Sequence, residues 1–211
     1  MEIDEASHKR PRGRPRAFDR YAALDAAMRL FWRHGYDATP VSALTEAMGI
    51  TPPQLYAAFG DKRRLFAEAV DKYQAENGAF GAAALARPTA REAIGALLRD
   101  AARELTVPGR PSGCLCVLGA VNCGPGSSEV EAELRERRAA GEEAMKRRIE
   151  AGLDAGELPA GTDAGALAKF YAGVFQGMSI QARDGASRRD LERVADLAMA
   201  AWPVQAPDRA G

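Results

Sequence analysis

A tight turn, Met48-Gly49-Ile50-Thr51, restricts the fold of the N-terminal third of the chain more than any other sequence feature. Thr39 and Pro40 are typical of a helix start, and the glycine in the turn is a typical helix end. Pro52 suits the first position of a second short helix, which ends at Gly60. Two short helices joined in this way have the proportions of a helix-turn-helix, whose second helix can enter the major groove of DNA.

Residues that favour helices dominate the rest of the chain, and clusters of Gly or Pro separate the helical runs. We therefore predict an all-α protein of about nine helices. A basic arm is expected at residues 1–17, a helix-turn-helix domain at 18–78 and a second helical domain at 79–211, with a flexible boundary at 78–88. The helices are expected at residues 19–34, 40–48, 51–59, 61–77, 90–106, 113–121, 128–155, 163–183 and 187–201.

Charge is unevenly distributed along the chain, although 29 basic and 29 acidic residues cancel overall. Residues 9–64 contain eleven lysines and arginines but only five acids. This polarity is typical of a protein in which one end meets phosphates. No apolar run is long enough to span a membrane, and no secretory signal is apparent, so we expect a cytoplasmic protein without a membrane partner.

The N-terminal residues resemble, in order and without a gap, the DNA-binding domain of TetR-family repressors. The resemblance covers about residues 16–70 and implies a three-helix DNA-binding unit. It also implies a C-terminal helical domain for inducer binding and dimerisation, and a homodimer. Two recognition helices in a dimer would bind a palindromic operator, and a helical pocket lined by Leu, Phe, Met and Tyr suits a small apolar inducer that releases it. The resemblance rests on Gly35-Tyr36, Thr39, Val41, Leu44, Met48-Gly49-Ile50-Thr51, Leu55-Tyr56, Phe59, Asp61-Lys62 and Leu65-Phe66.

The predicted DNA contacts lie in and beside the second short helix. Its first turn directs free N–H groups toward DNA, and Gln54 is the best base reader because a carboxamide can pair with adenine. By resemblance, Tyr56 and Lys62 contact phosphates, although Tyr56 has an alternative packing role. Pro52 and Pro53 depart from the family pattern, so the operator sequence cannot be inferred from relatives. The full set of predicted contacts in this domain is Thr39, Ser42, Thr51, Pro52, Pro53, Gln54, Tyr56 and Lys62.

Three arginines in the basic arm, Arg12, Arg14 and Arg16, flank Gly13 and Pro15. This pattern is similar to an AT-hook, in which an extended strand inserts arginines into an A·T-rich minor groove. A basic tail that attracts phosphates without sequence preference is the alternative.

Two C-terminal helices carry apolar stripes, which are usually part of a subunit's own core. By resemblance, the same helices form the dimer interface, and two glycines four residues apart would allow a partner helix to approach closely. The predicted interface residues are Leu167, Tyr171, Gly173, Val174, Gly177, Met178, Leu191, Val194, Ala198 and Trp202.

Cys114 is predicted to begin a helix, and a helix N-terminus lowers the pKa of a thiol. A redox or electrophile sensor at Cys114 is therefore one hypothesis, and a buried core thiol is the other. Cys114 and Cys116 lack a ligand-spaced partner, so no metal site and no cofactor are predicted. The chain has neither a phosphate-binding glycine loop nor a paired metal ligand, and we expect no enzymatic activity. A helical protein-interaction module is the remaining alternative, but it leaves the uneven charge unexplained.

Overall fold

The computed structural model describes residues 18–121 and 123–204, and these residues form ten α-helices without any strand. The all-α prediction is confirmed. A short 3-10 turn, Pro125–Ser127, precedes α8. The helices are α1 Arg20–His34, α2 Val41–Met48, α3 Pro52–Phe59, α4 Lys62–Asn77, α5 Ala79–Leu85, α6 Ala90–Glu104, α7 Leu115–Leu118, α8 Ser128–Asp154, α9 Ala164–Arg183 and α10 Arg188–Ala200.

Side-chain caps fix the starts of several helices. The carboxylate of Asp19 accepts hydrogen bonds from the backbone N–H groups of Tyr21 and Ala22, and Asp61 accepts one from Arg64. Asp163 caps α9 and Ser187 caps α10 in the same way. These caps satisfy N–H groups that have no partner within the helix, which explains why the sequence predicted these starts closely.

Aromatic rings form the centre of the N-terminal domain, where α1 packs against α4. The rings of Phe31 and Phe66 meet edge to face with centroids 5.0 Å apart, and Tyr36 lies 5.1 Å from Phe66. Leu44 of α2 and Leu55 of α3 are fully buried against this centre, and Met48 and Phe59 are almost so. The packing fixes the crossing of the two short helices, and thereby the direction in which α3 projects.

The C-terminal domain differs from the predicted helices at two places. Residues 79–85 form α5 rather than a flexible boundary, and Ala84 is buried against the core. The helix expected at residues 113–121 shortens to the four residues of α7. Gly113 lies in the turn before this helix with φ of 81°, a left-handed conformation that glycine adopts without steric cost.

Several contacts join the two domains into one unit. The indole N–H of Trp32 donates to the Gly113 carbonyl over 2.9 Å, and the Tyr36 N–H donates to the Gly119 carbonyl over 2.8 Å. Asp37 accepts hydrogen bonds from the Gly124 N–H and the Ser127 hydroxyl. The α1–α2 turn is therefore attached directly to the segment that contains α7.

Candidate DNA interface and ligand cavity

The exposed side of α3 has the features expected of a surface that contacts DNA. Leu55 and Phe59 are buried, whereas Pro52 and Pro53 at the helix start are exposed. Tyr56 is 49% exposed, so about half of its surface is accessible to DNA and the rest is covered by the domain. The expected free N–H groups are not available at this helix start, because Pro52 and Pro53 have no N–H and the Thr51 and Gln54 N–H groups take part in a capping box. The positive end of the helix dipole is what this turn offers to an anion.

Gln54 has a second role that the sequence analysis did not identify. Its side-chain Oε1 accepts hydrogen bonds from the Thr51 N–H over 2.8 Å and from the Thr51 hydroxyl over 3.0 Å. Gln54 therefore caps its own helix. To form two hydrogen bonds with an adenine base, the Gln54 carboxamide must share or break its hydrogen bonds to Thr51. That cost reduces the net free energy that base recognition contributes to DNA binding.

The Thr39 prediction requires a correction. Its side chain is only 1% exposed, and its hydroxyl donates to the Gly35 carbonyl over 2.6 Å. Pro40, not Thr39, precedes the first residue of α2. Thr39 closes the α1–α2 turn and has no free hydroxyl for a phosphate, whereas Ser42 is exposed on the first turn of α2.

Lys62 lies at the start of α4 with its ammonium 4.2 Å from the centroid of the Tyr36 ring. Partial burial lowers the pKa of Lys62, and the nearby Asp37 carboxylate acts in the opposite direction. A partly desolvated ammonium fixed on an aromatic face loses little further hydration when it meets a phosphate. Arg12, Arg14 and Arg16 lie outside the described residues.

Arg20 was missed in the sequence analysis. Its guanidinium lies 4.4 Å from the centroid of the Phe59 ring and pairs with Glu68 at 2.7 Å. It also donates to the Ala58 carbonyl at the end of α3. Arg20 thus ties α1 to the end of α3, and only the folded arrangement makes this role visible.

A cavity of about 330 Å³ lies between the two domains. Trp32 and Tyr73 reach it from the N-terminal domain, and apolar side chains from α5, α6, α8 and α9 complete most of its wall. The volume is at the lower end of the roughly 300–1,000 Å³ typical of small-molecule sites. Among its lining residues are Phe80, Leu85, Leu97, Val117, Met145 and Phe175.

Cys114 and Cys116 lie in the wall of this cavity, and neither forms a disulfide. The hydrogen bond from the Cys116 thiol lowers the pKa of Cys114 to about 7; burial opposes the shift, and the Tyr73 hydroxyl assists it. Backbone N–H groups at the start of α7 make smaller contributions. The pKa of Cys116 is raised, mainly because its thiol donates to Cys114.

An apolar stripe along α9 faces solvent. It consists of Phe170 and Ile180, which are about half exposed, with Gly173 and Gly177 between them. A Cβ atom added to either glycine would have no atom within 4 Å. Because the subunit does not require these glycines for its own packing, they leave room for a second molecule.

The predicted interface set must be corrected accordingly. Five of its members are buried within the subunit and cannot form an outer surface. Tyr171, for example, is fully buried and its hydroxyl donates to the Ala198 carbonyl over 3.2 Å. The five are Tyr171, Met178, Leu191, Ala198 and Trp202.

Sequence comparison identifies the family. A profile described as "Bacterial regulatory proteins, tetR family" matches residues 23–69, and one described as "Tetracyclin repressor-like, C-terminal domain" matches residues 90–198. The chain belongs to the TetR family. It is 36% identical to the HTH-type transcriptional repressor ComR of Escherichia coli over 197 residues, which cover 92% of this chain and 94% of ComR.

Solved TetR-family structures share the fold. A cysteine mutant of the regulator CifR, complexed with 26bp double-strand operator DNA, aligns with a TM-score of 0.86 and 43% identity, covering 90% of this chain and all of that one. A putative TetR regulator from Rhodococcus sp. RHA1 aligns with a TM-score of 0.58 and 38% identity, covering 89% of this chain and all of that one.

No group of three or more potential ligands among residues 18–121 and 123–204 is arranged to hold a metal ion. The helices in this part of the chain also lack any apolar stretch of the length that a membrane span requires.

Proposed function

We propose that this protein is a transcriptional repressor that binds a palindromic operator as a homodimer in the cytoplasm and is released by a small molecule in the interdomain cavity. The observation that carries the proposal is the exposed first turn of α3 beside Tyr56 and the half-buried Lys62. The 43% identity to a regulator solved with operator DNA supports the same role.

The homodimer rests on the stripe of α9 together with an exposed side chain of α10, Leu197, which is 75% exposed. Large exposed apolar side chains on adjacent helices are typical of protein interfaces. A two-fold dimer would present two copies of α3, and operator half-sites spaced by one helical turn require them about 34 Å apart.

Release by a ligand requires that the cavity respond to the position of the DNA-binding helices. Trp32 of α1 and Tyr73 of α4 both line the cavity, and their rings are 4.7 Å apart. A ligand that fits only one arrangement of these rings would bias the domain positions. Coupling free energies of about 1–3 kcal/mol are typical of such switches.

We expect the substitutions Lys62→Ala and Tyr56→Phe each to weaken operator binding by about tenfold. Each removes one contact with a charged phosphate, a loss of about 1.5 kcal/mol. Lys62→Ala should also lower the salt dependence by about one counterion, whereas Tyr56→Phe should not. The measurement is fluorescence anisotropy with a duplex selected from a random-sequence pool, at several salt concentrations.

Lys146→Ala is the matched control, since this lysine lies on α8 of the C-terminal domain. It should bind the selected duplex like the wild-type protein. If the wild-type protein selects no sequence, or if Lys62→Ala binds normally at every salt concentration, the proposed DNA contacts do not exist.

The lowered pKa of Cys114 supports a second candidate, in which an electrophile or oxidant acts on this thiol and releases the operator. The thiol lines a cavity large enough for a small reagent, and about half of it would be ionised near neutral pH. Thiolates are the reactive form, so reactivity must increase as the pH rises through the pKa.

We expect alkylation of Cys114 by iodoacetamide to rise with pH about a midpoint near 7. Cys123 should react only at higher pH, because burial raises its pKa. Mass spectrometry of the labelled peptides measures both rates. Operator release by N-ethylmaleimide should disappear in Cys114→Ser and persist in Cys123→Ser; the reverse pattern would exclude Cys114 as the sensor.

A further inference from the structure

Some of the charged side chains that line the cavity have a partner of opposite charge, and one does not. The carboxylate of Glu142 pairs with Lys169 at 2.5 Å, and that of Glu104 pairs with Arg110 at 2.9 Å. Because cations of the protein neutralise both acids, neither attracts a cationic ligand strongly.

Arg138 is the exception among these charges. One of its guanidinium nitrogens donates to the Cys116 carbonyl over 2.9 Å. No carboxylate among residues 18–121 and 123–204 lies within ion-pair distance of it. The guanidinium is partly buried, and no carboxylate of the described residues shares its positive charge, so an anion that enters the mostly apolar cavity can form a charge-assisted hydrogen bond with it.

Its neighbour Arg137 also lines the cavity and connects α8 to the DNA-binding domain. The guanidinium pairs with Asp71 of α4 at 2.7 Å and with Glu133 at 2.9 Å. It also donates to the side chain of Gln74, a second cavity residue of α4. Arg137 thus links the cavity wall to α4 of the DNA-binding domain.

We propose that the ligand is an amphiphile with a carboxylate head and an apolar tail. The inference rests on the proposed ligand-released repressor. The head binds Arg138, and the tail contacts Phe80, Met145 and Phe175. Because Arg137 lies one residue away, a bound carboxylate also competes with Asp71 for its guanidinium and loosens the link between α8 and α4.

The head group is tested with decanoate and with decan-1-ol, which has the same tail and no charge. Isothermal titration calorimetry on the full-length chain should show decanoate binding at least tenfold more tightly than decan-1-ol. Arg138→Gln should remove that preference. Arg135→Gln, an exposed position on the same helix, should retain it.

The link through Asp71 makes a separate prediction. Asp71→Asn should bind the selected operator duplex severalfold more weakly without ligand, because the ion pair that joins α4 to α8 is lost. It should bind decanoate severalfold more tightly, because the carboxylate no longer competes with Asp71 for Arg137. An unchanged decanoate affinity in Asp71→Asn would overturn the link.

Different results would overturn the proposed ligand class and the proposed repressor function. If decan-1-ol binds as tightly as decanoate, if neither binds, or if Arg138→Gln binds decanoate normally, the carboxylate proposal is overturned while operator binding by the free protein is unaffected. If the free protein selects no operator, the repressor function fails, and calorimetry still decides the ligand class.

Discussion

The substitution Gly177→Leu should convert the proposed homodimer into monomers and reduce operator affinity by at least about thirtyfold. Within the subunit the added side chain meets open space, since no atom lies within 4 Å of a Cβ at this position. Across the interface, it would intrude where the partner helix approaches. Two such clashes, each costing about 1–3 kcal/mol, weaken the dimer by roughly 2–6 kcal/mol.

The same substitution should make the isolated subunit more stable. Leucine favours the helix interior over glycine by almost 1 kcal/mol, and α9 continues on both sides of this position. Association also stabilises the dimeric wild-type protein, so the test is whether the monomeric variant still unfolds in one cooperative transition, which misfolding would not allow. Analytical ultracentrifugation measures the mass, thermal unfolding measures the stability, and anisotropy measures operator affinity.

Ala139→Leu on the exposed side of α8 is the control for this experiment. It adds an apolar side chain at another exposed helical position and should leave both mass and operator affinity unchanged. A dimeric Gly177→Leu variant would show that the stripe from Phe170 to Ile180 is not the interface.

Local signals explain which helices could be predicted from the sequence. Thr51 with Pro52, Asp61 and Asp163 each begin a helix where capping chemistry requires it, because their partners lie within four residues. The recognition helix α3 was predicted for that reason. Helix α5 was not predicted, since a segment rich in glycine and alanine carries no cap and is held by packing on α6 instead.

Roles that depend on distant partners could not be predicted in the same way. In the sequence, an apolar stripe that faces the subunit's own core cannot be distinguished from one that faces another subunit. Phe170 and Tyr171 are adjacent, yet Tyr171 is fully buried and Phe170 is about half exposed. The charge state of the cavity likewise depends on pairs such as Glu142 with Lys169, which lie 27 residues apart. The capping role of Gln54 depends on a near neighbour but was still not predicted, because a carboxamide can either cap a helix or bind a base.

The second large effect is expected for Gly113→Ala, which should lower the free energy of unfolding by about 2–4 kcal/mol through backbone strain and overpacking. Gly113 has φ of 81°, and an added Cβ would lie 2.8 Å from the Ser179 carbonyl oxygen and 2.6 Å from a methyl group of Leu118. The backbone itself must shift, because the oxygen belongs to α9. The shift also disturbs the hydrogen bond that the Trp32 indole donates to the Gly113 carbonyl.

Gly109→Ala separates the two causes of this loss. Gly109 has φ of 80° and no atom within 4 Å of an added Cβ, so the control carries only the conformational cost of about 1 kcal/mol. Denaturant unfolding of both variants measures the difference. The excess for Gly113→Ala reports the clash with α9 and the lost link to Trp32, and equal losses would mean that the segment before Cys114 adjusts freely. A segment that adjusts freely could not transmit a change in the cavity to α1, so this comparison also tests the route by which a bound ligand reaches the DNA-binding domain.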